Sequence, residues 1–143
     1  MLLRVTSALS LLAVTVAIHA AGLTLVLHAL DRPVAQREMR FWQVNWLLVR
    51  VAWAFIVLHL AEIAVWALFY WWQQCLPDLE SSLYFSGVTY TTVGYGDLVL
   101  PVKWRLLSAV EGLTGILMCG LSTGLFFAIA SRYLVRHPAA GRR

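Results

Sequence analysis

Thr91-Thr92-Val93-Gly94-Tyr95-Gly96-Asp97 decides how this chain is read, because its glycines fall at alternate positions and it lies between long apolar stretches. A cation sheds its water without a large penalty only where a ring of oxygens replaces the hydration shell, and backbone carbonyls can form such a ring. Successive carbonyls turn to the same side when the backbone alternates between ordinary and left-handed dihedrals, and glycine alone takes a positive φ without steric cost. Gly94 and Gly96 supply that alternation. Val93 and Tyr95 then carry side chains directed away from the oxygens, and Thr92 adds a hydroxyl at the inner end. At about 3.3 Å per residue, Thr92 to Gly96 spans roughly 13 Å, room for several ions in file. One strand supplies only one wall of such a passage, so a ring of four copies is expected.

The rest of the sequence places this stretch in a membrane. The chain has 143 residues, 61% of them hydrophobic and 13% charged, which sets it apart from soluble globular domains. Three apolar segments, Val5 to Leu30, Trp46 to Trp72 and Trp104 to Tyr133, are each long enough to cross a hydrocarbon core of about 30 Å at 1.5 Å per residue. No aqueous domain remains beside them. The net charge of +4 sits in arginines near membrane ends, which suits anionic lipid rather than nucleic acid. Cys75 and Cys119 are too differently placed for an intrachain disulfide. Thr15-Val16-Ala17 is a passable signal-peptide cleavage site, but the apolar run continues to Leu30, so a retained helix is expected.

Leu79 to Asp97 resembles the pore helix and filter of the potassium channel family, and the flanking segments resemble its outer and inner helices, over roughly residues 46–131. The competing reading of the filter residues, a Gly-Tyr-Gly turn in an extramembrane loop, leaves the apolar flanks without a reason. The resemblance implies an all-α membrane protein: three transmembrane helices plus a re-entrant pore helix and filter loop, assembled as a homotetramer that conducts potassium passively. The apolar segments give an N-terminal helix and cytoplasmic linker over 1–45, and the resemblance implies a pore domain over 46–133, with outer helix 46–72, pore helix 79–91, filter 92–97 and inner helix 104–133. A basic tail follows over 134–143. Thr92, Val93, Gly94, Tyr95 and Gly96 would coordinate potassium, the permeant ion, with no other cofactor and no enzymatic activity. Thr91, Asp97, Tyr84, Phe85 and Val88 would support the filter. Where some family members carry a carboxylate four residues before the filter threonine this chain has Val88, and Tyr84 and Phe85 stand where paired tryptophans are common. The hydroxyl of Tyr84 or of Tyr95 is therefore expected to supply part of the missing polar bracing.

Orientation follows from basic residues in short loops. Arg32, Arg37 and Arg40 precede the second segment, and Arg132, Arg136, Arg142 and Arg143 end the chain, whereas Gln73 to Leu100 carries Asp78, Glu80 and Asp97 and no Lys or Arg. The N-terminus is expected outside and the C-terminus in the cytoplasm, in a cell membrane. Trp42 and Trp46 suit the inner interface, and Tyr70, Trp71, Trp72 and Trp104 the outer one. Arg50 and His28 are expected to snorkel to the cytoplasmic surface. Asp31 to Asn45 reads either as an amphipathic helix on that surface or as a plain connecting loop.

Pro77-Asp78-Leu79-Glu80 reads as a helix start, with Asp78 as N-cap and Glu80 in the first turn. A helix of that length cannot span the membrane, and its C-terminal dipole would favour a cation in a central cavity. In the third segment the resemblance points to Gly115 as a hinge, with Cys119, Thr123 and Phe127 at i+4 spacing toward the cavity. Phe126 or Phe127 could close the inner mouth by dewetting, or both could simply face lipid. Gly120-Leu121-Ser122-Thr123-Gly124 matches the G-x-S-x-G pattern of hydrolases, but it lies in a helical run rather than after a strand; as G-x-x-x-G it lets a neighbouring helix approach.

Four ionisable residues, His19, His59, Glu62 and Glu111, fall inside the apolar segments. Burying them costs a few kcal/mol at least, so they should face protein and pair. Interhelical pairing and a shared, pH-responsive proton both fit them. No arginine-periodic helix reads as a voltage sensor. A weakly selective cation channel and a non-conducting accessory or scaffold subunit are the remaining alternatives.

Overall fold

The computed structural model describes residues 2–31 and 40–134. They form four helices, α1 (Leu2–Asp31), α2 (Phe41–Trp72), α3 (Leu79–Tyr90) and α4 (Arg105–Leu134). Three of them contain stretches long and apolar enough to cross a membrane: Val5–Leu30, Phe41–Trp72 and Arg105–Tyr133. The fourth, α3, has 12 residues, about 18 Å, and is too short to cross alone. Helix α2 touches all the others, α4 packs on α1, α2 and α3, and α1 does not pack directly on α3.

The helix ends follow from local chemistry. The start of α2 lies at Phe41 rather than Trp46, because the extended backbone of Arg40 lets its N–H donate to Gln43 Oε1 at 2.9 Å and close the first turn. Residues 41–45 are therefore helix, while 32–39 of the expected linker and the tail beyond 134 lie outside the described residues. The other end of α2 closes with a Schellman turn: Cys75 N–H donates to Tyr70 O and Gln74 N–H to Trp71 O, with Gln74 left-handed at φ 51°. Asp78 caps α3 by accepting from Ser81 N–H at 2.7 Å. Those same hydrogen bonds hold the Asp78 carboxyl below the ordinary carboxylate range.

The interior is layered along the bundle axis. At one end Ala8 and Leu11 of α1, Trp66 and Tyr70 of α2, Phe85 of α3 and Leu107 of α4 form an apolar cluster with Leu100 and Trp104. At the other end Val51 and Phe55 of α2 meet Ile129 of α4, with Leu23, Val26 and Leu30 of α1 against them. Between the two lie fully buried polar side chains: Thr15, His19, Glu62, Ser86, Glu111 and Thr114. Tyr70 and Trp104, expected at the outer interface, turn inward into the cluster at one end of the bundle. Tyr70 is fully buried, and Trp104 is 6% exposed and packs edge-on against Phe69. Trp71 and Trp72, by contrast, are exposed.

Candidate functional site

The segment that follows α3 is shaped by how that helix ends. Val93 N–H donates to Val88 O at 3.0 Å and Thr92 N–H to Thr89 O at 2.9 Å, a second Schellman turn with Thr92 in the left-handed position at φ 63°. Gly94 and Gly96 follow at φ 55° and 78°. The left-handed conformation thus recurs at three alternate residues, 92, 94 and 96. The first is a β-branched residue, for which it is strained. The two neighbouring amides of Val93 and Gly94 both donate to the Val88 carbonyl, at 3.0 and 3.2 Å. Val88 therefore anchors the strand through its main chain, whatever its side chain.

A side-chain bond braces the far end of this segment. Tyr84 Oη donates to Asp97 Oδ2 at 2.7 Å, tying the far end of the strand to the middle of α3. That bond holds the Asp97 carboxyl below the ordinary range. Tyr95 is exposed, and no hydrogen bond of its hydroxyl is seen among the described residues. Thr91 Oγ1 turns back onto Gly87 O at 2.6 Å, and Phe85 is buried, edge-on to Tyr70 with ring centroids 5.4 Å apart.

Behind the strand, the polar layer holds the inner end of α3. Glu62 Oε1 accepts from His19 Nδ1 of α1 at 2.8 Å, and Glu62 Oε2 accepts from Tyr90 Oη, the last residue of α3. His59 Nδ1 lies 3.0 Å from the same tyrosine oxygen and 3.5 Å from Glu62 Oε2. One turn along α2, Trp66 Nε1 donates to Thr15 Oγ1 at 3.0 Å. A further turn along, Tyr70 Oη donates to Glu111 Oε2 at 2.8 Å, and Ser86 of α3 donates to the other carboxylate oxygen. Of the four ionisable residues singled out in the sequence, three meet in one cluster, and Glu111 joins a second. Tyr90, Ser86, Tyr70, Trp66 and Thr15 were not singled out as its partners. The i, i+4, i+8 spacing of Glu62, Trp66 and Tyr70 is the signal that sets them on one helix face. His19, His59 and Glu62 each offer a ligand atom within 4.8 Å of the others, close enough to share a small cation, although hydrogen bonds already engage those atoms.

Helix α4 makes its tightest approach to the end of α3 at a glycine. A Cβ on Gly115 would lie 1.9 Å from the carbonyl oxygen of Tyr90, so only glycine permits this approach. The residue read as a hinge is thus also the contact point between α4 and the end of α3. Cys119, Thr123 and Phe127 are exposed on this single chain, and Phe126 is half-buried. Gly120 and Gly124 have open space beside them. The G-x-S-x-G stretch lies wholly inside α4, with no strand before it.

A family model described as "Ion channel" matches residues 53–132, just over half of the chain. The chain belongs to that family, the two-helix potassium channel family. The match covers most of α2, all of α3, the strand and α4 up to Arg132, and it excludes α1 with His19 and Thr15. No curated protein and no solved structure is significantly similar to the chain. This family member is therefore a multi-pass membrane protein in which the matched region is joined to an additional helix, α1.

Proposed function

We propose that the chain is one subunit of a homotetrameric, potassium-selective channel, with α2 as outer helix, α3 as re-entrant pore helix, residues 92–97 as filter and α4 as inner helix. The observation that carries this reading is the left-handed backbone at Thr92, Gly94 and Gly96, alternating with ordinary residues directly after the C-terminus of α3. Such alternation turns successive carbonyls to one side, where four strands can replace the hydration shell of potassium. The C-terminal dipole of α3 points the same way and favours a cation. In this assembly potassium is cargo, coordinated by carbonyls of Thr92, Val93, Gly94, Tyr95 and Gly96, with Asp97 at the outer end.

The chain's own residues then do three things. Val88 O and the Tyr84–Asp97 bond hold the strand at its two ends, so the oxygens keep their spacing when an ion leaves. Glu62 and Glu111 fix α3 against α2. Gly115, beside the end of α3, serves as the point about which α4 bends, and Cys119, Thr123 and Phe127 face the cavity below it. The N-terminus lies outside and the basic C-terminus in the cytoplasm, where anionic lipid meets the arginines. Purified protein in liposomes tests the reading. It should take up rubidium against an outward potassium gradient without any partner, and barium should block the uptake. Uptake indistinguishable from empty liposomes would overturn it.

A further inference from the structure

A groove of about 740 Å³ runs down the outside of the α1–α2 pair, and its lining includes Gly22 and Leu25 of α1 and Arg50, Trp53, Val57 and Leu58 of α2. Gly22 forms its floor, since a Cβ there would meet the Leu58 methyl carbons at 2.6 Å. All of these lining residues are apolar except Arg50. That arginine is exposed and has no hydrogen-bond or ion-pair partner among the described side chains. Its depth can be read from its neighbours. Arg50 and Val51 border the same small cavity as Ala29 and Leu30, and Leu30 ends the apolar span of α1. Arg50 therefore stands where hydrocarbon gives way to headgroups. Residues 41–49 of α2 continue about 13 Å beyond it, with Trp42 and Trp46 exposed at 75% and 65%, as interfacial aromatics are. In the other direction the groove extends from Arg50 to Ala61, about 16 Å along the helix and wholly apolar, a length suited to an acyl chain.

We propose that this groove seats one anionic phospholipid per chain, its phosphate on the Arg50 guanidinium and one acyl chain along Trp53 and Val57. The planar guanidinium matches phosphate with paired hydrogen bonds, and an anionic headgroup neutralises its charge where none of the described carboxylates does. A second copy of the chain is a poorer occupant. The exposed carboxylates among the described side chains, Asp78, Glu80 and Asp97, all lie at the opposite end of the bundle, so a copy in the same membrane orientation brings none of them to Arg50. The site rests on α1 and α2 spanning the membrane and not on potassium conduction, and it joins the pore to the helix that the family match leaves out.

Native mass spectrometry of the full chain, purified from mixed phosphatidylglycerol and phosphatidylcholine and washed with detergent, tests the site. The wild type should retain phosphatidylglycerol in preference to phosphatidylcholine. Arg50→Gln should lower that retention about tenfold, as expected for losing a charge-assisted contact, and Arg50→Lys should keep part of it. Val57→Trp, a change at an exposed position, should fill the groove and reduce retention of both lipids. Equal retention of phosphatidylglycerol by wild type and Arg50→Gln would overturn the proposal. So would an intersubunit disulfide formed readily by Val57→Cys in a chain lacking Cys75 and Cys119, which would show a second copy in the groove. Rubidium flux measured on the same samples separates the two claims: lipid retention without flux would refute conduction and leave this site standing.

Discussion

Gly115 tolerates no side chain, because the Tyr90 carbonyl occupies the place of its Cβ. Gly115→Ala must push α4 away from α3 at a cost of about 1–3 kcal/mol, in the range of an overpacked core, whereas Gly124→Ala fills open space and should be near neutral. Thermal unfolding in detergent measures both, and equal melting temperatures for the two variants would contradict the contact. At the other end of the strand, the Tyr84 hydroxyl stabilises ionised Asp97. That carboxyl is depressed, so the brace is intact at neutral pH and is lost as pH falls through its lowered value. Tyr84→Phe should move the titration of Asp97 upward, toward the ordinary carboxylate range, which carboxyl carbon chemical shifts would follow. An unmoved midpoint would show that the bond does not form. The same change should shorten open-state lifetimes if the brace steadies the filter.

Helix α2 is the element through which the others communicate: Glu62, Trp66 and Tyr70 on one face reach α1, α3 and α4. Because His19 and Tyr90 share the Glu62 carboxylate from different helices, their removal should not be additive. A double-mutant cycle of His19→Ala and Tyr90→Phe should give a coupling of about 0.5–3 kcal/mol in unfolding free energy, as groups in one hydrogen-bond network do. Strict additivity would mean that α1 and α3 are held independently. This face shows where sequence reading stops. The four ionisable residues stand out because charge is rare in apolar helices, and the need for partners follows from burial cost alone. Their partners do not follow. Tyr70 and Trp104 carry the amphipathic rings of interfacial residues, and only the position of α3 against α2 and α4 decides that both turn inward. The Phe41 start of α2 was equally hidden, since it depends on one backbone bond to Gln43.

For the whole molecule, the class was legible at once. Three apolar runs fix three candidate spans by length, and the punctuation at Pro77-Asp78 and Gly94-Tyr95-Gly96 sets off a short helix and an irregular segment between the second and third. The layered interior, with polar groups between two apolar clusters, could not be read from periodicity because helices apolar on all faces carry little directional signal. Nor does periodicity locate α1 against the pore elements; that needs His19 and Thr15 paired with Glu62 and Trp66. On the proposed reading, these contacts converge on holding one segment in a backbone whose carbonyls replace a cation's water and prefer potassium. The most direct test is the reversal potential of single channels formed by the purified chain in a planar bilayer, with potassium on one side and sodium on the other. The account predicts a reversal displaced far toward the potassium equilibrium potential; a reversal near zero would contradict it.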